Sequence, residues 1–442
     1  MKAVEEFKDE GESDAALATA AGKTAATKGA AVNPRGDFNG AGVRIVPGPR
    51  PNVYGRSKAH ERGGGALERG PPVKEAQHRP PSPSPNNSGH RGGEPRSSDA
   101  DEVYGALDLG TNNCRLLLAR PTRRGFRVID SFSRIIRLGE GVSTCGTLSE
   151  PAMRRTIEAL KVCSSKLERH GVKRARLVAT EACRFASNGQ EFLDRVRDRL
   201  GLDIEVLTPE AEARLAVSGC ASLIDQRSDY VLVFDIGGGS SELIWLNLAG
   251  SGRERARVVD RLDAQNLMAA WTSLPVGVVT LAEKFGGRFV TEEMFEAMVT
   301  YVLGLLQPFE DKHQFGPKVK AQPAHLLGTS GTVTTIAGIR LGLPRYDRNR
   351  VDGCWLDVAE ARDITYDLVN SSYEERVAQP CIGRDRADLV LAGCAILEAL
   401  IRLWPCERLR VADRGLREGI LTTLMIEDGV YRSRRRSGRS RR

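Results

Sequence analysis

Two segments of the chain place a strand-ending aspartate before glycines and small polar residues, a combination suited to holding phosphate groups. The first is YGALDLGTNNCRLLLAR at 104–120, and the second is LVFDIGGGSSELIWLN at 232–247. Because glycine lets the backbone approach a ligand closely, the N–H groups of such loops can surround phosphate oxygens. The candidate phosphate-binding residues are therefore Gly110, Thr111, Asn112, Asn113, Gly237, Gly238, Gly239 and Ser240.

Asp108 and Asp235 stand in equivalent places, each two residues before the first glycine of its loop. Their carboxylates would repel phosphate unless a metal ion lay between, and Mg²⁺ is commonly held by one or two carboxylates together with water and substrate phosphates. We therefore interpret Asp235 first, and Asp108 second, as magnesium contacts. For one segment alone, a turn that merely ends a strand would explain the pattern. Two segments in matching positions favour the phosphate and metal interpretation.

A third glycine-containing unit, AHLLGTSGTVTTIAGI at 324–339, predicts a strand, a short loop and a helix. Ser330 and Gly331 stand where that helix begins, and the N-terminus of a helix attracts anions. We add both residues to the phosphate-binding set. The sequence has neither a GxxxxGK[ST] loop nor a GxGxxG motif in a dinucleotide-binding context, so these two nucleotide-binding classes are not indicated.

The elements that position these loops alternate short apolar runs with helical periodicity, which predicts an α/β protein. Each aspartate–glycine segment predicts a β-hairpin, and the two hairpins lie about 127 residues apart. Between them the pattern predicts helices over 151–171 and 188–201 and strands over 176–180 and 204–207. Long helices follow the second hairpin, and 408–428 reads as strand, turn and helix. The internal repeat indicates two similar domains that face each other.

The positive charge of the chain lies mostly outside its central part. The formal net charge is +8, but residues 1–100 have 15 basic and 12 acidic residues, and 432–442 has seven arginines and no acid. That leaves 43 basic and 45 acidic residues over 101–431. The basicity therefore gives no support for nucleic-acid binding by the central part. The arginine run is either a solvated arm or an arm that docks on RNA, a membrane or polyphosphate.

Composition also predicts how the chain is divided. The first hundred residues contain 11 of the 21 prolines and none of the nine cysteines, so too little apolar surface is available there to offset the entropy of ordering. We predict a disordered extension over 1–99 and a disordered arginine-rich tail over 431–442. Between them we expect domain I over 100–222, with 412–430 packing back on it, and domain II over 223–411.

Other features argue against several protein classes. The nine cysteines are scattered, odd in number and without a CxxC pair, which favours buried, reduced thiols. The folded part has only His170, His313 and His325 and no HExxH motif, so neither a zinc site nor histidine-centred hydrolysis is indicated. We find no apolar run of about 20 residues and no apolar leader. These observations predict a soluble, cytoplasmic protein with no membrane partner.

Eight segments between 103 and 427 form a further pattern: ALDLGTNNCRLLLAR, ATEACRFASNGQEFL, IEVLTPEAEARL, VFDIGGGSSELI, PVGVVTLAEKF, LLGTSGTVTTIAG, RADLVLAGCAILEALI and VADRGLREGIL. Their order and spacing resemble those of the exopolyphosphatase / guanosine pentaphosphate phosphohydrolase (Ppx/GppA) family. The resemblance implies the actin/Hsp70/sugar-kinase superfamily fold, in which two ribonuclease-H-like domains close over a phosphate-binding cleft. It also implies Mg²⁺-dependent release of orthophosphate from the end of inorganic polyphosphate.

The resemblance assigns catalytic roles to particular residues. The family's catalytic base precedes an Ala-Arg-Leu sequence, which selects Glu212. A carboxylate suits this role because the chain offers no suitable histidine. Glu210 is offset by one position from the first glutamate of the family pair and is not given its role. The resemblance also implies that Arg184 faces the phosphates and that Glu242 helps to hold Mg²⁺.

Several positions depart from the family pattern or carry a second interpretation. Glu181 replaces a small polar residue, which is expected to alter one hydrogen bond near the cleft, and Asn113 replaces a common serine but can still donate to phosphate. Arg386 and Asp413 match recurring family positions, although a packing or helix-capping role would explain them equally well.

Two other functions remain open at this point. One is removal of the 5′-phosphate of pppGpp at the same site, which the motifs do not distinguish from polyphosphate hydrolysis. The other is a non-hydrolytic nucleotide-binding scaffold whose arginine tail binds RNA. Larger relatives add a C-terminal helical domain, so a long polyphosphate channel is expected to be incomplete here or to be completed by a homodimer.

Overall fold

The computed structural model describes residues 102–122, 125–249 and 266–431 of the chain. The predicted extension over 1–99 and, except for Tyr431, the predicted tail over 431–442 lie outside the described residues. The strands are β1 Tyr104–Leu109, β2 Asn113–Thr122, β3 Gly125–Ile135, β4 Arg174–Ala179, β5 Glu205–Val206, β6 Tyr230–Ile236, β7 Ser241–Asn247, β8 Met268–Leu274, β9 Ala324–Gly328, β10 Trp355–Asp357 and β11 Arg408–Val411. The α-helices are α1 Val142–Cys145, α2 Glu150–Arg169, α3 Glu181–Phe185, α4 Gly189–Leu200, α5 Pro209–Cys220, α6 Val278–Phe285, α7 Glu292–His313, α8 Phe315–Ala321, α9 Gly331–Arg340, α10 Arg348–Val351, α11 Val358–Asn370, α12 Tyr373–Ala378, α13 Val390–Leu403 and α14 Leu416–Glu427.

The first sheet has the strand order β3-β2-β1-β4-β5. β1 and β2 form the first predicted hairpin, and β1 then pairs in parallel with β4 after the chain crosses over through α2. Helix α2 begins where Ser149 accepts the Ala152 N–H, and it buries Ile157, Leu160 and Leu167 in the core beside the sheet. These residues recur at the spacing of one helical face, which explains why the stretch forms an amphipathic helix.

The second sheet repeats this plan. Its strand order is β10-β11-β9-β6-β7-β8, so the series β8-β7-β6-β9-β11 matches β3-β2-β1-β4-β5 of the first sheet, with β10 added at the edge. The second hairpin, β6 with β7, is antiparallel, and β6 pairs in parallel with β9. Two sheets with this order confirm the predicted α/β fold with two ribonuclease-H-like halves, and both sheets belong to one compact unit.

Two helices join the halves beside the hairpins. α14 packs on β1 of the first sheet, α5 packs on β7 of the second sheet, and α5 and α14 pack on each other. The last described helix therefore contacts the first strand. The boundaries proposed for domain I and domain II stay a prediction.

The most apolar stretch of the sequence forms α13, a buried helix of the second half. Its one acid, Glu398, is 1 % exposed and accepts hydrogen bonds from Arg362 and Arg402 at 2.7–3.0 Å. Among the described helices, none combines the length and the apolar character needed to cross a membrane. All nine cysteines are free thiols, and seven are buried, but Cys145 is exposed, so the expected burial is wrong for that residue.

Candidate active site

A cavity of about 160 Å³ lies where the two hairpins meet. The loops are so close that a Cβ atom on Gly238 would stand 2.9 Å from Thr111 Cβ and 3.2 Å from the Asn112 nitrogen. With one exception, the residues predicted from the sequence line this cavity: Asp108, Gly110, Thr111, Asn112, Asn113, Glu212, Asp235, Gly237, Gly238, Gly239, Ser240, Glu242, Ser330 and Gly331. The fold thus brings together phosphate-loop residues and carboxylates from distant parts of the chain.

The two hairpins make the same tight turn. In the first, the Gly110 N–H donates to the Asn113 carbonyl over 2.9 Å, and in the second the Gly237 N–H donates to the Ser240 carbonyl over 2.9 Å. The predicted internal repeat is therefore confirmed in the backbone of both loops.

The N-terminus of α6 holds the second loop from outside the cavity. The Val278 N–H donates to the Gly237 carbonyl at 2.9 Å, and the Val279 N–H donates to the Gly238 carbonyl at 2.8 Å. A Cβ on Gly277 would lie 2.4 Å from the Gly238 carbonyl carbon, so only glycine permits this approach. Because the C=O and N–H of one peptide unit point in opposite directions, the N–H groups of Gly238 and Gly239 face away from α6 and stay available to an anion.

The two aspartates differ in the residue that lies opposite them. Asp108 is paired in register with Arg115, whereas Asp235 is paired with Glu242. Burial raises the pKa of both aspartates, and the Arg115 guanidinium opposes both shifts. Burial, followed by the charge of Asp235, raises the pKa of Glu242 to about 7. The second hairpin therefore carries one buried and one half-buried carboxylate, and a nearby cation would favour their ionised forms.

Glu212 lies in the first turns of α5, where Thr208 caps the helix by accepting the Ala211 N–H at 3.2 Å. Its side chain lines the cavity and is 13 % exposed. Burial, followed by the charge of Glu242, raises the Glu212 pKa well above its usual range. Glu210 is instead exposed and accepts a hydrogen bond from Arg214 at 2.9 Å, so only the second of the two glutamates reaches the cavity.

Arg184 is the exception among the predicted site residues because it lies behind Glu212 and not in the cavity wall. Its Nη1 donates to Glu212 Oε2 at 3.2 Å and to the Leu207 carbonyl at 2.6 Å. Its Nη2 donates to Glu181 Oε2 at 2.5 Å. The guanidinium is thus engaged by two carboxylates, and its expected contact with phosphate stays a prediction. Glu181, which stands where the family pattern has a small polar residue, lines the cavity itself.

The fit of the carboxylates to a metal ion follows from their burial. Within the described ranges, no group of three or more His, Cys, Asp or Glu residues is arranged to hold a metal ion. Mg²⁺ does not require such a group, since one or two carboxylates with water and phosphate oxygens complete its shell. Asp108, Asp235 and Glu242 all have raised pKa values, caused first by burial, and a divalent cation would favour their ionised forms. The residues present therefore fit Mg²⁺ held mainly by the second hairpin.

Two buried polar atoms at the cavity, Ser330 Oγ and Asn112 Oδ1, make no hydrogen bond to any described residue. A buried polar atom without a partner costs roughly 1–3 kcal/mol, so both atoms favour a polar ligand. Ser330 is also the N-cap of α9, whose first residues line the cavity. A phosphate group there would satisfy the hydroxyl and the positive end of the helix together.

Sequence reasoning missed several cations of the cavity wall. Arg115 and Arg417 line the cavity together with Arg414, and the second-tier candidates Arg386 and Asp413 line it as well. Counting the hairpin register from Asp108 would have found Arg115, since the two residues are paired across β1 and β2. Burial lowers the pKa of Arg417, and the neighbouring Glu418 carboxylate opposes that shift. A polyanion in the cavity would therefore meet fixed positive charge as well as backbone N–H groups.

Comparison with known proteins gives a consistent result. The Ppx/GppA phosphatase family matches residues 117–427 of the chain. The guanosine-5'-triphosphate,3'-diphosphate pyrophosphatase of Photobacterium profundum is 28 % identical over 325 residues, which are 73 % of this chain and 59 % of that relative. The match therefore spans less than two thirds of that relative.

Solved structures resemble the chain over a similar extent. The Aquifex aeolicus member of the Ppx/GppA protein family is 29 % identical with a TM-score of 0.58, over 74 % of this chain and 98 % of its own. An exopolyphosphatase from Cytophaga hutchinsonii is 25 % identical with a TM-score of 0.63, over 74 % of this chain and 98 % of its own.

Proposed function

Given that the chain belongs to the Ppx/GppA phosphatase family, we propose that it is an exopolyphosphatase-like phosphohydrolase. It releases orthophosphate from the terminus of inorganic polyphosphate with Mg²⁺ and an activated water. The observation that carries this proposal is Glu212, a carboxylate that faces the cavity between two glycine hairpins and whose pKa is raised first by burial.

Glu212 serves as the general base. Its carboxylate takes a proton from the water that attacks the terminal phosphorus, and a raised pKa makes it a stronger base near neutral pH. Arg184 Nη1, 3.2 Å from Glu212 Oε2, orients the carboxylate and opposes the rise of its pKa. Arg184 is thus a positioning residue in this arrangement, and the phosphate contact expected from the sequence stays a prediction.

The glycine loops hold the substrate in line with this base. Hydrolysis of a phosphoanhydride depends mainly on positioning and on positive charge near the phosphoryl oxygens. The N–H groups of loops 110–113 and 237–240 and the N-terminus of α9 at Ser330 supply both. When held by Asp235, Glu242 and Asp108, Mg²⁺ would neutralise charge on the substrate oxygens.

A second candidate function is removal of the 5′-phosphate of pppGpp. The observation that favours it is the 28 % identity to a protein named guanosine-5'-triphosphate,3'-diphosphate pyrophosphatase. Both substrates end in the same kind of phosphoanhydride bond, so the same base and loops would serve either one.

Phosphate release from polyphosphate, pppGpp and ATP, each with Mg²⁺, tests the proposal. We expect release from polyphosphate, and Glu212→Gln should reduce kcat about 100-fold or more, because the general base is lost. Glu210→Gln is the matched control, since Glu210 lies on the same helix turn but is exposed and paired with Arg214. Binding of nucleotide without phosphate release from any of the three would instead support the scaffold function.

Three finer expectations belong to this proposal. The cytoplasmic location is supported by the cysteine pattern of the sequence, and the nine free thiols agree with it. A homodimer would complete a longer polyphosphate channel. The arginine tail would raise the local concentration of a polyanion, so its removal should weaken apparent affinity at low salt without changing saturated turnover.

A further inference from the structure

A second pocket lies beside the catalytic cavity, along the end of β3. It is lined by Asn113 and Arg386, which also line the catalytic cavity, and by Arg134, Arg137, Arg155 and Asp385. Its volume is about 580 Å³, and the two shared residues place it next to the catalytic cavity. A substrate that extends beyond the scissile phosphate on this side of the cavity would therefore come within reach of the pocket's side chains.

The charge of the second pocket suits a polyanion. Four arginines face one aspartate in its wall. Another cavity, which shares Thr111 and Gly239 with the catalytic cavity, has Glu181 and Glu283 against a single Lys284. A phosphate chain leaving the catalytic cavity would be repelled by that cavity and attracted by the second pocket.

The arginines of the second pocket are held in place to different degrees. Arg155 Nε donates to the Ile136 carbonyl at 3.0 Å, which ties α2 to the end of β3, and its Nη2 pairs with Glu140 at 3.1 Å. Arg137 pairs with Asp388 at 3.0 Å and so keeps part of its charge engaged. Arg134 is exposed and stacks over Phe132 at 5.3 Å, and no described carboxylate forms an ion pair with it. Arg134 is therefore the residue whose charge is most available to a ligand.

We propose that this arginine-lined pocket is a second anion-binding subsite, which takes phosphate groups of the substrate that lie beyond the bond being broken. The inference rests on the proposed function and specifies how its substrate is held. Two substrates carry such groups: the next phosphates of a polyphosphate chain, and the 3′-diphosphate of pppGpp. The shared chemistry is a phosphate group held away from the scissile bond by guanidinium groups.

Two matched substrate pairs separate these sources. Long-chain polyphosphate and tripolyphosphate differ in the distal phosphates, while pppGpp and GTP differ in the 3′-diphosphate. Within each pair, the KM of the substrate with the additional phosphates is divided by the KM of the other substrate. This ratio is measured for Arg134→Ser and for Arg155→Ser and compared with that of the unmodified protein. We expect the long-chain to tripolyphosphate ratio to rise about three- to tenfold if the polyphosphate chain occupies the subsite. A similar rise of the pppGpp to GTP ratio identifies the 3′-diphosphate instead.

The chain offers controls on the same elements. Arg127 is exposed on β3, like Arg134, and Arg154 precedes Arg155 on α2 but lines a different pocket. Arg127→Ser and Arg154→Ser remove the same charge, so both should leave the ratios unchanged. Thermal unfolding of each variant checks the fold, which matters most for Arg155 because of its bond to Ile136.

The outcomes separate the subsite from the proposed function. If the unmodified protein hydrolyses none of the four substrates, the proposed function fails. If it hydrolyses them but neither ratio moves in Arg134→Ser and Arg155→Ser, the subsite is overturned while the function stands. A ratio that moves equally in the control variants also overturns the subsite, because a general loss of charge would then explain it.

Discussion

At the scale of single residues, one guanidinium is shared by two carboxylates beside the cavity. Arg184 donates to Glu181 Oε2 at 2.5 and 3.0 Å and to Glu212 Oε2 at 3.2 Å. The charge of Arg184 lowers the Glu212 pKa against the stronger upward effect of burial. Glu181 therefore influences the proposed base through the arginine that both contact.

Replacing Glu181 should shift the pH dependence of the reaction. In Glu181→Gln the guanidinium keeps one carboxylate partner, and a negative charge near Glu212 disappears, so the Glu212 pKa falls. A base is active when ionised, so the acidic limb of the kcat/KM profile should move to lower pH, by about one unit or less. Phosphate release measured across the neutral range at saturating Mg²⁺ gives the profile.

The control for this prediction is Glu210→Gln, because Glu210 is an exposed acid of the same helix turn that pairs with Arg214. The acidic limb of the kcat/KM profile of Glu210→Gln should stay at the same pH as in the unmodified protein. An acidic limb that also stays in place in Glu181→Gln, even with a lower kcat, would mean that Glu181 does not act on Glu212 through Arg184.

The sequence predicted most of the site at this scale, and its failures have physical causes. The glycine loops were recognisable because their residue types are unusual and repeat. Glu212 could be chosen over Glu210 only through the family resemblance, since both acids suit the first turns of a helix. The position of Arg184 behind Glu212 depends on the long-range approach of α3 to α5, which local pattern does not encode.

At the scale of elements, the α6 N-terminus and the loop 237–239 form one packed unit, and a glycine makes their contact possible. A Cβ on Gly277 would lie 2.4–2.6 Å from the Gly238 carbonyl group and the Gly237 oxygen. Gly277→Ala should therefore push α6 away from the loop, which destabilises the fold by about 1–3 kcal/mol and moves the N–H groups that face the substrate. Thermal unfolding and KM for polyphosphate should both report the change.

Gly304→Ala tests whether such an effect is specific. Gly304 lies within α7, and a Cβ there would meet nothing within 4 Å. Alanine in a helix interior is favoured over glycine by roughly 0.5–1 kcal/mol, so this variant should be as stable or slightly more stable, with unchanged KM. An unaltered KM in Gly277→Ala would show that the loop does not depend on α6.

The elements themselves were predicted where burial leaves a strong pattern. β4, β9, β11, α2 and α4 all appear at their expected positions within a few residues. Strands β3 and β8 were not predicted. Each is the third strand of an antiparallel series, β1-β2-β3 in the first sheet and β6-β7-β8 in the second. Each is the outermost strand of its sheet and pairs on one side only, so polar residues such as Asp130 and Ser133 interrupt its apolar alternation.

At the scale of the whole molecule, a few polar contacts join the two halves beside the catalytic cavity. Glu283 of α6 accepts a hydrogen bond from the Gly141 N–H at 2.7 Å and another from the Ser143 hydroxyl. Arg137 pairs with Asp388 at 3.0 Å. We name these contacts the clasp. They join the segment after β3 of the first sheet to α6 and to the turn before α13 in the second half. Such partly exposed contacts each contribute little, about 0.2–1 kcal/mol, so the clasp can open for substrate.

Weakening the clasp should favour the open arrangement. In Glu283→Ala both bonds to the 141–143 segment are lost, so binding must draw the halves together against a larger population of open molecules, and KM should rise about two- to fivefold. Small-angle scattering without substrate should show a larger radius of gyration, and saturating polyphosphate should reduce it toward the value of the unmodified protein. Glu360→Ala is the control, because its ion pair with Arg340 lies within the second half and does not span the cavity. If Glu283→Ala keeps the same radius of gyration and KM, the bonds of Glu283 do not hold the halves together, and packing of α5 against α14 with the Arg137–Asp388 pair would suffice.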